Sequence, residues 1–186
     1  MRRPRHAVGR AIAALASLAL AAIVAGCGIG ATGSPASFPV QSVGPAATVT
    51  AAVGQTRGAI AAALAPFRLQ LDDANRPYRP SESRLISEAP RAVYQVVLPQ
   101  DPDGGYVVVY EFPDANGARD AGNDLAGYLG TGAGRVSYPL DAQHTIRQLG
   151  TTLIFYTYSP SIARDPGASK VADALSTLGI GFAPPR

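Results

Sequence analysis

The fold turns on "AVYQVVL" (92–98) and "GYVVVYEF" (105–112), two β-branched and aromatic runs separated by "PQDPDG". Branched and aromatic side chains suit a pleated strand, and the Pro/Asp/Gly interval is a reverse-turn composition. The pair predicts a β-hairpin. A second hairpin is predicted from "HTIRQL" (144–149) and "TLIFYTY" (152–158), joined by Gly150-Thr151 as a type II′ turn with glycine first.

Working outward, helices flank both hairpins. Val53, Ile60, Leu64 and Phe67 recur at helical spacing, and Pro66 terminates that helix. Phe67, Leu69 and Leu71 alternate as in a short strand, and Ser81 to Glu88 predicts a helical turn. Asp114 is placed to cap a helix with Ala118, Ala121, Leu125 and Tyr128 inward, closed by "GTGAG" (130–134) with Gly130 at its end. "RVSYPL" (135–140) reads as a strand. Asp165-Pro166 opens a last helix with Leu175 and Leu178 inward and Gly179 at its end, before an edge strand "IGF". Sequential hairpins imply an α+β fold, a largely antiparallel sheet with helices packed on one face. The order also suggests a weak internal duplication of 53–112 and 114–159, with 167–183 as a truncated third copy. Residue identity between the copies does not establish it.

The N-terminal segment has a different character. Arg2, Arg3, Arg5 and Arg10 precede sixteen uncharged residues, Ala11 to Gly26, and then "VAGCGIGATGS" (24–34). Sixteen residues suit a signal h-region and fall short of the about 20 needed to span a bilayer. Gly28, Gly30 and Gly33 spell G-x-G-x-x-G, but Pro35 and Pro39 follow instead of a helix, and the next acid is Asp72. A dinucleotide loop needs the opposite context. Val24-Ala25-Gly26-Cys27 instead resembles the lipobox of bacterial lipoproteins. That resemblance implies cleavage of a signal peptide, residues 1–26, and a diacylglycerol on Cys27. It places the protein on the cell membrane or outer membrane, lipid-anchored, with its domain outside the cytoplasm. Gly28 is not the aspartate associated with inner-membrane retention, so the resemblance implies outer-membrane sorting in a host with two membranes. Residues 27–49 form a lipidated flexible tether, and residues 50–186 a single globular domain.

Cleavage reverses the charge balance. The full chain has sixteen Lys+Arg and thirteen Asp+Glu, and four of the arginines lie in residues 1–26. Twelve basic against thirteen acidic residues remain, which gives no basis for nucleic-acid binding. Cys27 is the one cysteine, so the domain has no disulfide, thiolate metal site or cysteine nucleophile.

Catalytic signatures are lacking. His144 is the one histidine after residue 26, on a strand pattern without a neighbouring carboxylate. "DPDGG" (101–105) starts like a calcium loop, but Tyr106 and Phe112 fall where glycine and glutamate are required. "GTGAGR" follows a helix and precedes a strand, the reverse of the phosphate-loop order. No cofactor or metal is implied. Two candidate binding features stand out. "NRPYRPSESR" (75–84) concentrates Arg76, Tyr78, Arg79 and Arg84, a combination that recognises carboxylates or phosphates when its arginines are not paired to local acids. Tyr94, Tyr106, Tyr110, Tyr156 and Tyr158 would form a concave surface on a sheet face left bare of helices.

These readings favour a non-enzymatic binding or accessory module at the envelope, for a protein or small ligand. The alternatives are a cell-envelope hydrolase using dispersed carboxylates such as Glu82, Glu88 and Glu111, or a structural subunit of an envelope complex.

Overall fold

The computed structural model describes residues 50–185, so Cys27, the tether and the signal segment lie outside the described residues. Thr50 caps α1 (Ala51–Leu64) by accepting from Val53 N at 3.2 Å. A 3₁₀ turn, Ala65–Phe67, ends in Arg68 at φ 58° and leads into β1 (Leu71–Asp73). Then come α2 (Arg84–Ser87), β2 (Arg91–Val96), β3 (Tyr106–Glu111), α3 (Ala115–Gly130), α4 (Gly132–Val136), β4 (Gln143–Leu149), β5 (Thr152–Tyr158), α5 (Gly167–Ser176) and β6 (Ile180–Phe182).

The six strands form one sheet in the order β1-β2-β3-β5-β4-β6, with every neighbouring pair antiparallel. The fold is α+β, and both expected hairpins are present. Gly150 has φ 59° while Thr151 keeps φ negative, the type II′ pattern. Asp114 caps α3 through Gly117 N at 2.8 Å. Two local expectations are overturned. Residues 135–140 are no strand, because Thr131 closes α3 and immediately caps α4 through Gly134 N at 3.4 Å. Gly130 therefore lies inside α3, with Thr131 at its C-cap. The first strand begins at Leu71, not Phe67.

Helices cover both faces of the sheet, which corrects the one-face expectation. Val107, Val109, Ile154 and Tyr156 pack against α1 and α5, through Ile60, Leu64, Val171 and Leu175. Val108, Tyr110, Leu153 and Phe155 face the other way, onto Ile86 of α2 and Ala121, Leu125 and Leu129 of α3. Topology gives the physical reason. β5 inserts between β3 and β4, so the β3-α3-β4 and β5-α5-β6 connections each step over one strand in the same direction across the sheet. β3 and β5 run antiparallel, so two crossovers of one hand must place their helices on opposite faces. The layers are thus α1/α5, sheet and α2/α3.

α1 runs from one end of the sheet to the other. Near its start Thr56 Oγ1 lies 2.7 Å from Thr152 Oγ1, at the beginning of β5. Beyond its end the chain brings Leu69 beside Leu98 and Gly167, at the end where β5 finishes.

Candidate functional site

The connector 75–84 does not hang free. It forms a strap across the α3 side of the sheet, beside the area that α3 itself covers. Arg76 pairs with Asp103 in the β2–β3 hairpin. Tyr78 stacks on Tyr106 of β3, ring centroids 4.3 Å apart and planes within 4°. Ser81 Oγ lies 2.7 Å from the Tyr128 hydroxyl of α3, and Tyr138 donates to the Ser81 carbonyl at 2.7 Å.

Glu82 ends the strap. Its side chain is 2% exposed and receives Arg79 at 2.9 Å, Arg91 at 3.1 Å and the Tyr110 hydroxyl at 2.6 Å. Burial and this hydrogen bond hold the Tyr110 phenol far above its ordinary pKa. Arg79 also donates to the Ser87 carbonyl at 3.0 Å. Of the four expected binding residues, Arg76 and Arg79 are therefore spent on local acids, and Arg84 stands exposed at the start of α2. The structure does not bring the three arginines together as an anion site. Tyr78, by contrast, lines a cavity.

That cavity is a cleft of about 310 Å³ at the end of the sheet where β5 finishes and the β2–β3 hairpin turns. Tyr78, Tyr138, Tyr156 and Tyr158 line it, with Asp101 on the hairpin side and Ser159 opposite. Tyr156 and Tyr158 belong to the α1/α5 side and Tyr78 and Tyr138 to the α3 side, and they meet because the cleft lies past the ends of the strands. Tyr156 forms the floor and donates to the Ala168 carbonyl at 3.0 Å. Burial, more than the neighbouring Tyr158 and Asp101, raises its pKa. Burial first, then Tyr106 and Glu82, likewise raises the Tyr78 phenol. The far wall is fixed by Asp141, which accepts from Ser159 Oγ at 2.6 Å and Ser161 N at 2.7 Å. Those bonds hold its carboxyl below the usual carboxylate range. His144 lies nearby, edge-on to Tyr138 and stacked with Phe155, and burial lowers its pKa.

The face-wide tyrosine surface expected from the sequence does not form. Tyr94 is buried beneath Arg57, whose guanidinium lies 5.5 Å from the ring centroid. Tyr110 is enclosed under the strap, and Tyr106 is covered by Tyr78. Tyr156 and Tyr158 alone carry over, and they meet Tyr78 at the sheet end. Tyr138 was not singled out by sequence reasoning, and Asp101 was weighed only as the start of a calcium loop. Their segments read as strand and turn, and only the aromatic and acidic character of residues closing one end of the sheet signalled them.

At the opposite end an apolar groove of about 340 Å³ runs between α2, the end of β3 and α3. Leu85 and Phe112 line it with Glu88, Glu111 and Asp120. Glu88 and Glu111 thus share a groove, but Glu82 is elsewhere, in its ion pairs.

Among the described residues no three His, Cys, Asp or Glu side chains are grouped to hold a metal ion, and no helix is long and apolar enough to cross a membrane. No protein-family model, curated protein or solved structure matches the chain.

Proposed function

We propose that this chain is a lipid-anchored, non-enzymatic binding module of the cell envelope whose ligand occupies the cleft at the end of the sheet. The anchor half of the reading rests on the arginine-rich start, the uncharged stretch and Cys27. The binding half is carried by one observation, a cleft of about 310 Å³ walled by four tyrosines. That volume falls at the lower end of small-molecule sites, roughly 300–1,000 Å³, and flat amphipathic rings give contact area at low entropic cost.

Two measurements test the two halves. Cys27→Ala is expected to move the protein from the membrane pellet to the soluble fraction, and full retention in the pellet removes the anchor. Ligand-observed NMR of the full chain against a small-molecule fragment set is expected to find binders that are lost in Tyr158→Ala. A set with no cleft binder removes the binding half.

A hydrolase is the second reading, favoured by one observation: Glu88 and Glu111 line a common groove. It predicts turnover of a cell-wall polymer that disappears in Glu111→Gln.

A further inference from the structure

The hydrogen-bonding ledger of the cleft decides what chemistry it accepts. Its side-chain donors are largely committed to the protein. The Tyr156 hydroxyl donates to the Ala168 carbonyl, the Tyr138 hydroxyl to the Ser81 carbonyl, the Tyr158 hydroxyl to Gln143 Oε1 at 3.2 Å, and Ser159 Oγ to Asp141. No lysine or arginine lines it. What the cleft offers instead is electron-rich: the half-buried phenol rings of Tyr78, Tyr138 and Tyr158, their oxygen lone pairs, and the Asp101 carboxylate.

Asp101 is fixed by the hairpin. The Gly104 N–H donates to the Asp101 carbonyl at 2.9 Å, and the Asp101 side chain folds back over Gly104. A Cβ at residue 104 would lie 2.7 Å from Asp101 Oδ2, so a side chain there would push the carboxylate from this position. Among the described residues, no cation lies within ion-pair distance of Asp101, whereas its neighbour Asp103 is taken by Arg76. A half-buried carboxylate without a counter-ion, beside aromatic faces, is complementary to a cation. Ring quadrupoles attract ammonium groups, the more strongly as water is excluded. Sugars and anions would find only the Tyr78 and Thr157 hydroxyls as uncommitted side-chain donors in this lining, and no cation.

We propose that the cleft binds a small organic cation, an ammonium group on a short apolar body, with Asp101 as its counter-ion and Tyr78, Tyr138 and Tyr158 as its aromatic wall. This rests on the reading of the cleft as a binding site and names the ligand class for it. Asp101 sets charge selectivity, and the rings hold the apolar body.

The test uses the full chain in a non-ionic detergent, titrated by calorimetry and ligand-observed NMR. The probes are choline, n-butylammonium, 3,3-dimethyl-1-butanol (the uncharged shape-mate of choline) and N-acetylglucosamine. Choline or n-butylammonium is expected to bind at least tenfold more tightly than the uncharged alcohol. Asp101→Asn is expected to remove that preference with its melting temperature unchanged. If Asp101→Asn does not fold, Ala142→Lys, which puts a fixed cation into the cleft wall, is expected to abolish binding of both ammonium probes. Equal binding of choline and its uncharged shape-mate, or binding of N-acetylglucosamine alone, overturns the cation proposal and leaves the binding module standing. Binding of no probe overturns the cation proposal, and the fragment screen then decides the broader reading.

Discussion

Glu82 and Tyr110 are 28 residues apart in sequence, yet the phenol donates to the carboxylate at 2.6 Å in the interior of the α3 side. The bond ties the strap to a central strand. Glu82 is nearly sealed from water, while Arg79 is 56% and Arg91 25% exposed. Part of the ion-pair energy is therefore screened.

Glu82→Ala leaves Arg91 and the Tyr110 hydroxyl without their shared partner. We expect a loss of about 2–4 kcal/mol in urea unfolding, against about 1–2 kcal/mol for Tyr110→Phe. The double variant is expected to cost less than the two single losses added together, because the same bond is counted in each. Strict additivity would show that the bond contributes nothing.

Leu153 and Ile154 are adjacent and both fully buried, in opposite cores. Leu153→Ala and Ile154→Ala are each expected to cost about 2–5 kcal/mol. A sheet with one bare face would lose stability at only one of the two positions, so a neutral result at either contradicts the layered arrangement.

The same pair shows what was legible in the sequence. The hairpins were, because their turns are local and need only Gly150 or the Pro/Asp/Gly interval. Two-sided burial was also written there, since "VVVY" and "LIFY" are continuous apolar runs where a half-exposed strand would alternate. The one-face expectation followed hairpin adjacency and overlooked that continuity. The insertion of β5 between β3 and β4 had no local signal, because it is set by pairings such as Val107 with Tyr156. The strap shows the same limit from another side. Its arginines were evident in the sequence, but the acid that takes up Arg79 and Arg91 has meaning only once Tyr110 lies beneath it.

Buried phenols give the fold an alkaline limit. Tyr110, Tyr138 and Tyr156 have pKa values raised above the ordinary 10.0, chiefly by burial. The unfolded chain releases these protons from about pH 10 while the folded chain retains them. Stability is therefore fully present below pH 10 and falls as pH rises above it. Tyr156→Phe is expected to reduce that slope by about 1.4 kcal/mol per pH unit. A slope identical to that of the parent chain would mean the phenol ionises freely in the fold.

Two glycines in unlike settings provide a backbone test. Gly179 has φ 40°, and a Cβ there would sit 1.8 Å from the Gln148 carbonyl oxygen. Gly179→Ala should cost about 2–3 kcal/mol by displacing β6 from β4. Gly127, within α3, has nothing within 4 Å of an added Cβ. Gly127→Ala is expected to raise stability by about 0.5–1 kcal/mol in the same assay. A destabilised Gly127→Ala would show that this face of α3 is not open.

The first half of α1 meets the beginning of β5 at Thr56 and Thr152, whereas the tyrosine cleft opens where β5 has run on to Tyr158. Thr50, the first described residue, and the mouth of the cleft consequently lie toward opposite ends of the sheet, on either side of a helix about 21 Å long. Coupling the domain to a surface at Thr50 would therefore leave that mouth clear. Coupling through the β2–β3 hairpin tip would cork it.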